Sequence, residues 1–129
     1  METTMRTVLY SACLAITLVL AGTSASLAGF NPFGTAGLKL TKADYAEIAK
    51  ASEPLFSEQA AIGMSQDWAN PKSGNSGTVK LLDRYATQYE GKSLPCRKLE
   101  YTVVSKALRD PYNLVLNRCK TADGAWKIF

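Results

Sequence analysis

Hydrophobic and polar positions alternate through residues 96–120 in a way that pairs the two halves of this segment. If the chain turns near Ala107 and Leu108, large side chains oppose one another on one face: Leu99 with Leu116, Tyr101 with Leu114 and Val103 with Tyr112. Polar residues fall on the other face: Lys98, Glu100, Thr102, Asn113 and Asn117. Directly opposed residues share a sheet face, so a slip of one residue would destroy this sorting. The pattern predicts a β-hairpin with strands at 96–105 and 111–120, and it places Cys96 opposite Cys119.

A helical pattern precedes the strands. Thr41 and Asp44 have the spacing of a capping box, and a face with i, i+3, i+4, i+7 spacing follows: Tyr45, Ile48, Ala49, Ser52, Leu55 and Phe56. Pro54 removes a hydrogen-bond donor and crowds the preceding turn. We therefore expect a helix over 42–52 and a second turn or two over 54–60.

The remaining segments read as strands and turns. Residues 63–69 and 78–88 alternate as strands, and residues 70–77 have turn composition. A last strand covers 125–129 after Asp123 and Gly124. A two-residue turn would put Trp126 on the Cys119 face, whereas a three-residue loop with Gly124 left-handed puts it on the face of Leu114 and Leu116; burial favours the second. The predicted fold class is α+β: an N-terminal helix packed on a four- to five-stranded antiparallel meander with one disulfide-stapled hairpin.

The N-terminus has the three parts of a secretory signal. Arg6 is followed by an apolar run over residues 7–22 and by a small-residue end. The run is shorter than a transmembrane helix requires, so no membrane-spanning segment is expected after cleavage. We place cleavage after Ala28, with cleavage after Ala25 as the alternative. The predicted organisation is a signal peptide over 1–28, a flexible leader over 29–40 and a domain over 41–129.

Removal of the signal leaves two cysteines. Cys13 lies within the apolar run, and Tyr10 stands where a lipid-attachment motif needs a residue like Leu, so lipidation is the minor interpretation. In an oxidising compartment, the opposed Cys96 and Cys119 are expected to form a disulfide. Two buried free thiols are the alternative.

Composition argues against most catalytic classes. The 129 residues include no histidine, which removes the usual general base and the commonest metal ligand. The aspartates and glutamates of the second half fall in strand ends and turns, and Lys72, Ser73 and Ser76 are better explained by turn formation than by a Ser-Lys dyad. We predict a protein that is not an enzyme and that uses no cofactor and no metal.

Charge is distributed unevenly. Residues 29–71 hold three lysines against five acids, a net −2, and residues 72–129 hold eleven Lys and Arg against five Asp and Glu, a net +6. Such asymmetry bears on partners rather than on fold. Because Tyr101 and Tyr112 fall among leucines in the predicted register, they are assigned to the core and not to a nucleic-acid platform. The expected partners are an envelope protein or an anionic envelope surface, and no nucleic acid; a solvated cationic face is the simpler alternative.

Several motifs together resemble the rickettsial 17 kDa surface antigen family of bacterial envelope proteins. They are the Trp-Ala-Asn-Pro-Lys-Ser-Gly-Asn-Ser-Gly run from Trp68, Cys96-Arg97, Cys119, and Asp-Gly-Ala-Trp-Lys-Ile from Asp123. The resemblance covers roughly residues 38 to 129. It implies a surface-antigen-like domain in the periplasm or outer membrane of a Gram-negative bacterium, with no assigned enzymatic activity.

The predicted function is an exported, non-catalytic cell-envelope protein that acts by binding or structural association. The alternative is a small periplasmic inhibitor or ligand-binding module. The candidate contact surface comprises Trp68, Asn70, Pro71, Asn75, Arg97 and Lys98.

Overall fold

Helix α1 spans Lys42–Ser52, the predicted range, in a computed structural model that describes Phe33 and residues 38–129. A capping box starts it, because the Asp44 N–H donates to Thr41 Oγ1 and the Thr41 N–H donates to Asp44 Oδ2. A 3₁₀ turn, Glu53–Phe56, follows with Pro54 near its start, where the missing N–H costs least. The predicted signal over 1–28, and all of the leader over 29–40 except Phe33 and residues 38–40, lie outside the described residues.

The rest of the described chain is one antiparallel sheet. Its strands neighbour each other in chain order: β1 (Ser65–Asn70), β2 (Asn75–Tyr89), β3 (Lys92–Val104), β4 (Tyr112–Lys120) and β5 (Trp126–Ile128). The prediction of one short helix followed by an antiparallel meander is confirmed. Among the described helices, none has the length and apolar character needed to cross a membrane.

The β3–β4 hairpin has the predicted register throughout. Cys96 pairs with Cys119, Leu99 with Leu116 and Val103 with Tyr112. The two cysteines form a disulfide with their Cα atoms 4.1 Å apart, and both side chains are buried. The alternative of two free thiols is wrong for this structure.

The turn predicted over residues 70–77 is shorter than expected. Asn70 pairs with Asn75, so only residues 71–74 form the turn, and β2 begins at Asn75. Gly77 belongs to the strand because Trp68 lies directly opposite it, and a Cβ on Gly77 would come within 1.8 Å of the Thr102 carbonyl oxygen. A glycine that reads as a turn residue is thus needed for close approach between strands.

The main hydrophobic core lies on the inner face of the sheet, where α1 and the 3₁₀ turn pack against it. Its most deeply buried side chains come from β2 and β3, with Leu55 from the 3₁₀ turn: Val79, Leu81, Leu99, Tyr101 and Val103. On the outer face, Leu94 and the disulfide form a second, smaller cluster.

Strand β5 is attached through a three-residue loop. The Thr121 N–H donates to the Ala125 carbonyl oxygen, and Gly124 has a φ of +82°. Trp126 and Ile128 therefore lie opposite Lys120 and Arg118, on the inner face with Leu114 and Leu116. The predicted loop and face are confirmed, although the strand is three residues long rather than five.

Candidate functional site

The residues predicted as a contact surface divide into buried and exposed groups. Pro71 and Lys98 are exposed. The others are buried, with exposed fractions between 3% and 8%: Trp68, Asn70, Asn75 and Arg97. The structure therefore does not bring the six side chains together at one surface. Three of them, Asn70, Asn75 and Arg97, belong to two separate arrangements.

The first arrangement surrounds the carboxylate of Asp44, which is fully buried. Oδ1 accepts hydrogen bonds from Asn70 Nδ2 at 2.8 Å and Ser73 Oγ at 2.6 Å, and Oδ2 accepts from Asn75 Nδ2 at 2.9 Å. With the bond from the Thr41 N–H, four donors converge on one side chain. The side-chain amides of Asn70 and Asn75, which flank the β1–β2 turn, are thus directed at the start of α1 and not at solvent.

The pKa of Asp44 follows from these contacts. Burial raises it, but the hydrogen bonds from Ser73, the Thr41 backbone, Asn75 and Asn70 together lower the pKa from 3.8 to about 2. With this pKa, the carboxyl group is ionised throughout the neutral pH range. Asp44 is therefore a structural anion, and not a candidate acid or base.

The second arrangement is a row of arginines across three neighbouring strands. Arg84 of β2 pairs with Arg97 of β3, which pairs with Arg118 of β4. Directly opposed residues share a face, and Arg97 lies on the face of Leu99 and Tyr101. A register shift between Leu81 and Asp83 makes this possible, because the bulge changes which residues of β2 face inward. We call Arg84, Arg97 and Arg118 the arginine row.

Arg97 is the most buried member of the row, and its side chain is 3% exposed. Nη1 donates to the Cys96 carbonyl oxygen at 2.9 Å, and the guanidinium lies 5.3 Å from the centre of the Trp126 ring. Within the described residues, Nε and Nη2 are buried and have no hydrogen-bond partner. Arg97 forms an ion pair with Glu58, whose Oε1 lies 3.8 Å from Nη2.

The guanidinium groups of the other two arginines each donate hydrogen bonds to backbone carbonyl oxygens. Arg84 Nη1 donates to the carbonyl oxygens of Glu58 and Ala60, and its Nη2 donates to Glu58 Oε2 at 3.1 Å. Arg118 Nη1 donates to the Trp126 carbonyl oxygen at 3.5 Å, and its guanidinium lies 5.8 Å from the centre of the Tyr101 ring. Arg118 Nε is also buried without a hydrogen-bond partner among the described residues.

The row carries three positive charges, and among the described residues its ion pairs are with Glu58 alone. Burial lowers the pKa of Arg97, the neighbouring Arg84 lowers it further, and Glu58 opposes both effects. Arginine remains protonated in proteins, so these effects describe an electrostatically unfavourable position for a cation. Such a cluster can hold an oxyanion through its N–H donors, and it offers neither a base nor a nucleophile of its own.

Sequence reasoning identified only part of this row. The predicted hairpin register already opposes Arg97 to Arg118, so the signal for that pair was present. Arg84 was hidden because the bulge in β2 shifts its face, and Glu58 was hidden because it meets the row only through the tertiary fold.

Among the described residues, no group of three or more His, Cys, Asp or Glu side chains could hold a metal ion.

Comparisons with known proteins give no relative from which a function could be transferred. The chain matches no protein-family model, no curated protein and no solved structure. The resemblance to the surface antigen family stays a prediction from the motifs.

Proposed function

We propose that the chain is an exported, non-catalytic domain of a Gram-negative cell envelope, in the periplasm or at the outer membrane, that acts by binding or structural association. The observation that carries this proposal is the Cys96–Cys119 disulfide, which is buried within the sheet. Disulfides persist in oxidising compartments and are rare in the cytosol. The signal-like segment over 1–28 supplies the export route, and the motif resemblance agrees with it.

A ligand-binding module in the periplasm is the second candidate. The arginine row favours this version, because its buried donors suit the recognition of an anion better than contact with a flat surface. Pro71 and Lys98, the two exposed members of the predicted contact surface, fit the structural-association version instead. The two versions share the same compartment.

Cell fractionation with intact-mass measurement tests the proposal. We expect the full chain, expressed in a Gram-negative host, to appear in the periplasm or outer membrane as a processed protein beginning at Gly29, without alkylatable thiols. A mass that begins at Ser26 would select the alternative cleavage site, and a mass retaining a lipidated Cys13 would select anchoring. An unprocessed cytoplasmic chain with free thiols would overturn the proposal.

Two variants sharpen the test. Ala28→Tyr should block processing if cleavage follows Ala28, because that position takes only small residues. Cys119→Ser should expose one alkylatable thiol, Cys96, in the processed protein. Affinity capture from periplasmic and outer-membrane extracts then tests the structural-association version, because a single stoichiometric soluble enzyme as partner would overturn it in favour of a small periplasmic inhibitor.

A further inference from the structure

We infer that the arginine row is a binding site for a phosphate group, and that the Glu58 carboxylate occupies the position of this ligand in the free protein. The inference deepens the proposed binding function and rests on it. The shared chemistry is a tetrahedral oxyanion, either free phosphate or the phosphomonoester end of a larger molecule.

The unpartnered donors of Arg97 are the first support. Buried polar groups in native proteins are nearly always hydrogen-bonded, and a buried charged donor without a partner carries a large desolvation cost. Arg97 Nε and Nη2 are both buried without a hydrogen-bond partner in the described part of the chain, on a side chain that is 97% buried. Both atoms lie on the edge of the guanidinium that pairs with planar or tetrahedral oxyanions.

The poor fit of Glu58 is the second support. Its Oε2 reaches Arg84 Nη2 at 3.1 Å, but its Oε1 stops 3.8 Å from Arg97 Nη2, beyond hydrogen-bond distance. The Glu58 side chain is 80% exposed, so it can rotate into water without unpacking the core. Its backbone carbonyl would continue to hold Arg84 Nη1.

Charge and geometry favour phosphate over a second carboxylate. A tetrahedral oxyanion presents oxygens in several directions, so that one group can accept from Arg84 Nη2 and from the free edge of Arg97 at once. Once Glu58 has moved away, the guanidiniums of Arg84 and Arg97 face the ligand, and a dianion neutralises these two charges better than a monoanion. Arg118 adds charge from the neighbouring strand, with its Nε also unpartnered among the described residues.

Glu58→Gln is the decisive variant. It keeps the shape of the side chain but removes the charge that competes for the row, and the exposed position makes misfolding an unimportant outcome. If Glu58 occupies the site about nine-tenths of the time, its removal tightens phosphate binding about tenfold. Isothermal titration with inorganic phosphate, on the wild type and on Glu58→Gln, measures this change.

The matched control is Glu53→Gln, which removes an exposed acid from the 3₁₀ turn and has the same effect on net charge. It should leave phosphate affinity within about twofold of wild type, since general electrostatics at an exposed site are weak. Adding Arg84→Lys to Glu58→Gln should abolish most of the gain in phosphate affinity. Lysine provides a point charge but lacks the planar set of N–H donors of a guanidinium. Circular dichroism and thiol alkylation verify the fold of each variant.

Vesicle flotation separates the two sources of phosphate. Co-flotation of Glu58→Gln with phosphatidylcholine vesicles containing phosphatidic acid, reversed by inorganic phosphate, would assign the site to a phosphomonoester headgroup. Phosphate binding without flotation would assign it to the free anion. An absence of phosphate binding by Glu58→Gln at millimolar concentrations, or an equal gain in Glu53→Gln, would overturn the inference, whereas the proposed function fails separately through cytoplasmic location.

Discussion

Asp44 shows on the scale of one residue how a buried charge becomes part of a fold. Removing a carboxylate from water is costly unless donors replace the water, and here the four donors come from the helix start, from the β1–β2 turn and from the two residues that flank this turn. These donors also explain why Asn70 and Asn75 are buried although both are polar. Part of the polar composition of residues 70–77 is therefore used inside the domain, while Pro71 and Lys72 are exposed.

Asp44→Asn should destabilise the protein strongly. The substituted amide places an NH₂ group where a carboxylate oxygen accepted hydrogen bonds, so at least one buried donor loses its partner, at a cost of about 2 to 4 kcal/mol. Urea unfolding measures this loss. Glu47→Gln makes the same chemical change on the same helix at a half-buried position and should cost less than about 0.5 kcal/mol. Equal losses in the two variants would contradict the role assigned to Asp44.

The same carboxylate makes stability depend on acid pH. Its folded pKa of about 2 lies below the ordinary 3.8, so its contribution is fully present above the ordinary pKa and is lost as pH falls toward 2. The shift corresponds to about 2 kcal/mol. Urea unfolding from pH 6 to pH 2 should show this decline in the wild type, and a smaller one in Asp44→Asn.

Gly77 tests close approach separately from backbone strain. Gly77→Ala would place its Cβ 1.8 Å from the Thr102 carbonyl oxygen and 2.8 Å from Trp68 Nε1. Because the obstacle includes backbone, we expect a loss above about 3 kcal/mol in urea unfolding. Gly124→Ala has open space but a φ of +82°, and should cost about 1 kcal/mol. A milder effect at Gly77 than at Gly124 would show that the strands separate easily.

At the scale of elements, an aromatic contact ties the short strand β5 to the 3₁₀ turn. The Phe56 and Trp126 rings are stacked, with centroids 4.6 Å apart and planes 14° apart. Arg97 lies against the same Trp126 ring, 5.3 Å from its centre. A strand of three residues has few hydrogen bonds of its own, so this contact supports its position.

Trp126→Ala should therefore destabilise β5 and weaken the packing of Arg97. We expect a loss of about 2 to 3 kcal/mol in urea unfolding, and a coupling of about 1 kcal/mol in a double-mutant cycle with Phe56→Ala. Additive losses would show that the two rings contribute independently of each other.

The elements that the sequence predicts correctly are those whose pattern is local. The α1 bounds follow from a capping box and a proline, and the β3–β4 register follows from alternation that admits one pairing. The start of β2 was misassigned because its burial depends on Asp44 and Trp68, which come from other elements. The bulge after Leu81 was missed because one extra residue in a strand leaves no clear mark in composition.

On the scale of the whole molecule, folding joins the acidic front of the chain to its basic back. Glu58 belongs to the negative segment, and Arg84 and Arg97 to the positive one. The uneven charge of the two segments led us to expect a charged partner outside the chain. Part of this charge instead forms ion pairs within the chain. The predicted register opposes Arg97 to Arg118, but the complete site could not be predicted because it combines this tertiary contact with the bulge in β2.

The disulfide contributes to the stability of the whole domain. It closes a loop with a sequence separation of 23, which the chain-entropy model values at about 3 kcal/mol. Replacing both cysteines by alanine should lower the free energy of unfolding by about this amount. The loss should not be larger, because the Leu99 and Tyr101 pairs also specify the hairpin register and the hairpin should still form. Calorimetry or urea unfolding measures the difference. A change below about 1 kcal/mol would indicate that the reduced chain is already constrained in this region.

Asp44 also has a consequence for the order in which the domain opens. Its partners Asn70 and Asn75 lie 26 and 31 residues away along the chain, so the first turn of α1 and the β1–β2 turn share one anion. Neither turn can unfold locally without leaving the buried charge or its donors without a partner. The two turns should therefore behave as a single cooperative unit. Native-state hydrogen exchange should give similar opening free energies for the Thr41 and Gly74 amides, and Asp44→Asn should separate them.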